Sequence, residues 1–221
     1  KPECGASGER FFMIQNKQAS RAALRQRRRL ISPADRRRFN DAIQQVLLDS
    51  GLLRRAQHIA GYLANDGEPC IAAFTQRCEQ GKQSYYLPIV KKQRLLFARY
   101  QTGDLLVNNQ YHIAEPAAET TLPAKFISAI LMPLVGFDHQ GNRMGMGGGF
   151  YDRTLSFIRR KPCKQRPLLI GIAYSLQSID HINRQPWDIP LDAIVNENGL
   201  LLFSNKAIGL LRKTKSAQQM N

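Results

Sequence analysis

The residues best suited to chemistry lie between Asp138 and Arg153, where Gly145, Gly147, Gly148 and Gly149 fall within five positions. Glycine accepts positive φ, so such a run can turn successive backbone N–H groups inward toward an anion. A helix starting at Phe150 would add further free N–H groups, and together these features describe a cradle for phosphate. No Gly-Lys-Ser/Thr closes the run and it does not complete a dinucleotide fingerprint, so it is neither a P-loop nor a Rossmann loop. A tight structural turn would call for the same glycines. The flanks add chemistry: Arg143 has a planar fork that can neutralise phosphate oxygens, and Asp152 is a poor phosphate contact but a good Mg²⁺ ligand. An acid beside a phosphate loop makes sense chiefly with a metal between them, although Asp152 also fits an acid stabilised at a helix start.

These residues need elements to position them. From Lys17 to Leu30 the chain lacks Gly and Pro and is rich in Arg, Ala and Leu, which predicts a helix. Ser32-Pro33-Ala34-Asp35 announces a second helix, with a capping hydroxyl, proline in the first turn and an acid near the positive end, and Gly51 stops it. His58–Ala64 reads as a buried strand, Ile71–Gln80 as a helix closed by Gly81, and Ser84–Val90 and Arg94–Tyr100 as strands followed by a turn at Thr102-Gly103-Asp104. Lys125–Phe137 is a nearly continuous apolar run, as expected of a central strand covered on both faces, and it delivers the chain into the glycine loop. Phe150–Arg160 is predicted helical, Pro167–Ser175 a buried strand, and Ala193–Phe203 a strand pair turning at Asn196–Gly199. This alternation predicts an α/β fold: a three-layer α/β/α-type single domain around a mixed, mostly parallel sheet. Residues 1–12 show no periodicity and are expected to be an unstructured leader or upstream remnant. The domain is expected over 13–204, followed by a basic C-terminal tail over 205–221.

The 221 residues carry a formal charge of +15, which calls for an anionic partner. Much of the excess sits in Lys17–Arg38 and Lys206–Lys215, and such runs also suit plain solvated faces. Cys4, Cys70, Cys78 and Cys163 form no Cys-x-x-Cys pair and the four histidines lack metal-ligand spacing, which argues against a zinc site or a disulfide framework. No stretch approaches the roughly 18 to 20 apolar residues of a membrane span, and no signal-like leader opens the chain. A cytoplasmic, monomeric protein without membrane attachment is the expectation.

The run Met132-Pro133-Leu134-Val135-Gly136-Phe137-Asp138, followed by Gly141, Arg143, Gly145, Gly147 to Gly149, Tyr151 and Asp152, resembles the signature of the 5-formyltetrahydrofolate cyclo-ligase family. Lys17-x-x-x-Arg21, Asp66-Gly67-Glu68, Leu87-Pro88, Ile113-x-Glu115-Pro116 and Trp187-Asp188-Ile189-Pro190 agree with it in order, so the resemblance spans roughly Lys17 to Leu202. It implies ATP- and Mg²⁺-dependent conversion of 5-formyltetrahydrofolate to 5,10-methenyltetrahydrofolate, with release of ADP and phosphate. By that resemblance Lys17 and Arg21 grip ATP, together with Arg143, Met144, Gly145, Met146, Gly147, Gly148, Gly149, Phe150 and Tyr151. The folate meets Leu63, Glu68 and Tyr111, and also Met146, Gly147, Gly148, Gly149 and Phe150 of the loop. Asp152 and Asp188 correspond to the acids that hold Mg²⁺, with Asp192 a nearby carboxylate easily confused with Asp188, and Arg143 and Asp152 carry the catalytic roles. Gly148 stands where some relatives have a basic residue, Gln185 where many have Glu, and Val195-Asn196 where Val-Thr is commoner.

Two other readings stay open from residues alone. Arg27-Arg28-Arg29 and Arg36-Arg37-Arg38 suit a nucleic-acid-binding module, although no aromatics interleave them as stacking platforms, and no nucleic-acid partner is expected. A different phosphate-sugar or nucleotide enzyme on a related layered fold would share the glycine loop.

Overall fold

In the computed structural model the described residues are 20–159 and 166–218. Helix α1 spans residues 20–29, and α2, Pro33–Asp49, starts where Ser32 Oγ accepts the Asp35 amide at 3.1 Å with Pro33 in the first turn. Strand β1 (His58–Ala60), helix α3 (Ala72–Gln80), strand β2 (Ser84–Lys91) and strand β3 (Arg94–Arg99) follow. Next come β4 (Leu106–Asn108), β5 (Ala114–Pro116), β6 (Ala129–Pro133), β7 (Gly136–Phe137), β8 (Arg143–Met144) and α4 (Phe150–Thr154). The chain closes with β9 (Leu168–Ile172), β10 (Ala193–Asn196), β11 (Gly199–Leu202) and α5 (Asn205–Gln218).

Seven strands form one sheet in the order β11-β10-β9-β6-β1-β2-β3. The pairs β10/β9, β9/β6, β6/β1 and β1/β2 are parallel, while β3 and β11 join antiparallel at the two edges. The sheet is therefore mixed and mostly parallel, as predicted. Ile130, Leu131 and Met132 of β6 are fully buried, which follows from cover on both faces. One face packs under α2 and α3 through Ile43, Leu47, Phe74 and Cys78, and the other through Phe97, Ile127, Leu155 and Ile189. In α5, Ala207 is fully buried and Leu210 and Leu211 pack on the first of these cores.

Several elements are shorter than their apolar runs. Lys125–Phe137 does not form one strand: Ala124–Phe126 is a 3₁₀ turn, and the ladder stops at Pro133. Beyond it the Leu134 carbonyl accepts Arg28 Nη1 at 3.1 Å and Gln177 Nε2 at 2.7 Å, so side chains take over from a strand neighbour. The glycine loop consequently follows a small β7/β8 hairpin rather than the central strand itself. Phe150–Arg160 divides into α4 and a 3₁₀ turn, Ser156–Arg159, where Ser156 Oγ donates to the Arg153 carbonyl at 3.0 Å and Thr154 Oγ1 accepts the Leu95 amide at 2.8 Å. Arg160 lies outside the described residues. The β4/β5 pair had no sequence signal of its own; Glu115 Oε2 ties it to β2 by accepting the Val90 amide at 3.0 Å.

Candidate active site

In an open α/β sheet, ligands bind beyond the carboxyl ends of the parallel strands where the winding reverses. Here that point falls between β1 and β6, because β1 continues to β2 on one side and pairs with β6 on the other. The two loops leaving these strands carry Leu63, Glu68 and the glycine run singled out in the sequence.

From β1 the chain runs through Leu63, which packs half-buried on the core, into a tight turn from Asn65 to Glu68. The Glu68 amide reaches the Asn65 carbonyl at 2.9 Å, and both central residues have positive φ, 51° at Asp66 and 76° at Gly67. That combination defines a type I′ turn, which Asp tolerates and Gly favours. Glu68 Oε2 accepts the Asn65 amide at 3.1 Å, and burial pushes its carboxyl up to about 7 despite that bond and the nearby Arg28 charge.

Helix α1 grips this turn. Arg25 Nε and Arg28 Nη2 reach Asp66 Oδ2 at 2.7 and 3.0 Å, and Arg29 bonds Oδ1. Arg36 donates to the Gly67 carbonyl at 2.9 Å and to the last carbonyls of α1. Burial raises the Asp66 pKa, but Arg25 and Arg29 outweigh it and hold the carboxyl below its ordinary range. The arginine runs that suggested a solvated face or a nucleic-acid surface thus place Arg28, Arg29 and Arg36 on one acidic turn.

From β6 the chain passes through the β7/β8 hairpin to the glycine loop. Asp138, fully buried, accepts the amides of Gln140, Asn142 and Ile182 and the Asn142 side chain, which fixes the hairpin. Gly147 and Gly149 take φ of 103° and 64°, so two of the four glycines adopt backbone that other residues resist. Arg21 Nε donates to the Gly145 carbonyl at 3.0 Å, which joins the first helix to the loop. Met144 is buried among Leu24, Val135 and Ile182, so its side chain serves packing, whereas Met146 is 53% exposed. Tyr111 meets Phe150 edge-on with ring centroids 5.4 Å apart, and Arg153 lies over the same Phe150 ring while bonding the Gly148 carbonyl. Tyr151 packs half-buried on the second core, and burial pushes its hydroxyl well above the ordinary range. With only five residues, α4 has little dipole to offer an anion, so any cradle here rests on the loop's own backbone.

Arg143 and Asp152 meet directly, Nη2 to Oδ1 at 2.7 Å, with the Arg143 side chain 6% exposed. The guanidinium also donates to the Ile189 carbonyl at 2.7 Å, and the Ile189 amide returns a bond to Asp152 Oδ1 at 3.0 Å. Asp188 Oδ2 accepts the Gln185 amide at 2.8 Å. Asp152 and Asp188 therefore flank one peptide unit, and each keeps one carboxylate oxygen outside these bonds. Asp192 is settled differently: it is 2% exposed and takes both Arg166 guanidinium nitrogens at 2.7 Å, an internal ion pair at the foot of β9. Among the described residues no cluster of three or more His, Cys, Asp or Glu could hold a metal. Two hard carboxylates nonetheless fit Mg²⁺, which commonly binds through one or two acids plus substrate phosphates.

Lys17 lies outside the described residues. All other sequence-nominated residues fall on the two loops, on α1, on the β4/β5 hairpin or beside Ile189. Sequence reasoning quoted Arg28 within an arginine run and Asp66 within Asp66-Gly67-Glu68 but missed their bracing roles, and it missed Gln177, although Arg28 stands two helical turns after Arg21 and so on its face.

An open α/β sheet with a glycine-rich loop in the connection leaving its switch point and two carboxylates beside one peptide unit has the layout of an enzyme. The chain belongs to the 5-formyltetrahydrofolate cyclo-ligase family, whose sequence profile matches residues 13–197, and is an enzyme of the ligase class. It is 34% identical over 182 residues to the 5-formyltetrahydrofolate cyclo-ligase of Haemophilus influenzae, covering 80% of this chain and 95% of that protein. The Escherichia coli K12 enzyme of the same name is 32% identical over 177 residues, covering 78% and 95%. The fold of this chain matches the NMR structure of Aquifex aeolicus 5,10-methenyltetrahydrofolate synthetase with a TM-score of 0.74 at 26% identity, covering 86% of this chain and 93% of that one. The 5,10-methenyltetrahydrofolate synthetase of Mycoplasma pneumoniae gives 0.65 at 28% identity, covering 82% and 98%.

Proposed function

We propose that this chain converts 5-formyltetrahydrofolate to 5,10-methenyltetrahydrofolate, using ATP with Mg²⁺ and releasing ADP and phosphate. The observation that carries the proposal is that α1 ties two loops at the switch point, the turn bearing Glu68 through Arg28 and Asp66, and the glycine run that leads to Asp152 through Arg21 and Gly145. The formyl oxygen attacks the γ-phosphorus of ATP and ADP departs. The neighbouring folate nitrogen then attacks the activated carbon, phosphate leaves with the former formyl oxygen, and the nitrogen gives up its proton as the ring closes. Phosphorylation is needed because an amide oxygen is a poor leaving group.

The protein's part is positioning and charge compensation. Arg21, which bonds the Gly145 carbonyl, grips ATP together with the charge of Lys17, and the loop N–H groups of Gly145 to Gly149 face phosphate oxygens. Arg143 holds Asp152 in place and adds positive charge to that corner. Asp152 and Asp188 are the residues that would hold Mg²⁺, which when bound offsets phosphate charge. Leu63, Tyr111, Met146 and Phe150 offer apolar and aromatic surface to the flat pterin, and Glu68 accepts hydrogen bonds from its N–H groups. The protein acts as a monomer in the cytoplasm on this reading, with no nucleic-acid partner.

The test is spectroscopic: the methenyl product is followed by its absorbance when purified protein receives 5-formyltetrahydrofolate, ATP and Mg²⁺. Product that requires all three supports the reading, and folded protein that makes none rejects it.

A further inference from the structure

Three residues on one face of α1, at spacings of three and four, touch both functional loops. Arg21 bonds the Gly145 carbonyl at 3.0 Å. Leu24 packs with Val135 and Met144, and its Cδ1 lies 2.9 Å from where a side chain on Gly136 would begin, so the glycine admits the helix. Arg28 is fully buried. Its Nε and Nη2 hold the Asp66 carbonyl and carboxylate at 3.1 and 3.0 Å, while Nη1 holds the Leu134 carbonyl at 3.1 Å. Leu134 is where the chain leaves β6 for the hairpin that carries the glycine loop, and its carbonyl is held a second time by Gln177.

We propose that Arg28 is a positioning residue for the reaction, a buried guanidinium that fixes the Glu68 turn and the root of the glycine strap in one geometry. The inference rests on the cyclo-ligase reading for its kinetic consequences but not for its structural ones. A planar fork can meet acceptors on two separate chain segments at once, whereas an ammonium is a single point of charge on a flexible stem. Removing the guanidinium takes the donor from the Asp66 carbonyl, leaves the Asp66 carboxylate with Arg25 and Arg29 and the Leu134 carbonyl with Gln177, and so cuts the link between the two sides. Arg28 touches neither loop's ligand-facing groups directly, so its influence must pass through Asp66 to Glu68 and through Leu134 to Gly145.

Arg28→Lys keeps the charge and is the informative variant; Arg28→Met, which could fail to fold, is the companion. Hydrogen exchange on Arg28→Lys is expected to accelerate at residues 65–68 and 134–136 together while β9 and β10 stay protected. In turnover, the KM for 5-formyltetrahydrofolate is expected to rise about tenfold with a smaller change in kcat, the scale of losing hydrogen bonds to a charged group. In a Glu68→Gln background the same change is expected to raise that KM less than about twofold, since coupled residues are non-additive. Faster exchange in only one of the two loops, or equal KM effects in both backgrounds, overturns the proposal. Wild-type protein with no turnover but with both loops loosened by Arg28→Lys would reject the activity and keep the brace.

Discussion

Glu68 has a carboxyl that burial pushes up to about 7, and its place on the turn after β1 makes that ionisation functionally visible. The ionised form accepts with both oxygens, as the amino and ring N–H groups of a pterin require, and the protonated form gives up one acceptor. Substrate capture should therefore rise with pH: kcat/KM for the folate is expected to climb through a group of pKa about 7 and level off above it. Glu68→Gln is expected to remove that step and lower the plateau. A pH profile of kcat/KM checks both, and an unchanged step in the variant would assign it to another group. The same residue was legible in Asp66-Gly67-Glu68, but its environment was not, because the burial that raises its pKa is set by segments far along the chain.

Among the elements, the glycine loop restricts its sequence at Gly147 and Gly149 through positive φ. Gly149 has φ of 64°, and an added Cβ there would sit 2.8 Å from Arg153 Nη1. Gly149→Ala is expected to cost about 1 kcal/mol of stability from the left-handed backbone. It should also raise the KM for ATP several-fold, because the displaced Arg153 would release the Gly148 carbonyl and the Phe150 ring. Thermal melting and ATP kinetics read the two effects separately; a variant with wild-type ATP kinetics would remove this loop from the nucleotide site. Helices α2 and α3 and the strands β2, β3, β10 and β11 were foreseeable from caps and periodicity. Strand β6 was over-extended in the sequence because apolar character continues to Phe137, while the hydrogen bonds that end the ladder come from Arg28 and Gln177.

For the whole molecule, the net charge of +15 makes each internal carboxylate matter, and Asp66 gathers three arginines. Its folded pKa is lowered, so its stabilisation is present above the ordinary value of about 4 and is lost as pH falls through the folded value. Asp66→Asn tolerates the positive φ but leaves Arg28 without its charge partner, and is expected to cost about 2 to 4 kcal/mol near neutrality. The deficit against wild type should shrink below about pH 4, where the native carboxyl is protonated as well. Denaturant unfolding at neutral and acid pH measures it, and a deficit that does not vary with pH would exclude the charge as its source.

The sequence alone determined the family and the order of most elements, and nominated residues for phosphate, metal and pterin, because short motifs and local periodicity carry that information. Asp192 shows its limit: four residues from Asp188, it has the same chemistry on paper and differs only by facing Arg166. The role of Arg28 was likewise hidden, since its acceptors at Asp66 and Leu134 stand 38 and 106 positions away. Only the tertiary fold, by bringing the ends of β1 and β6 side by side beneath α1, decided which arginines face solvent and which hold the site together.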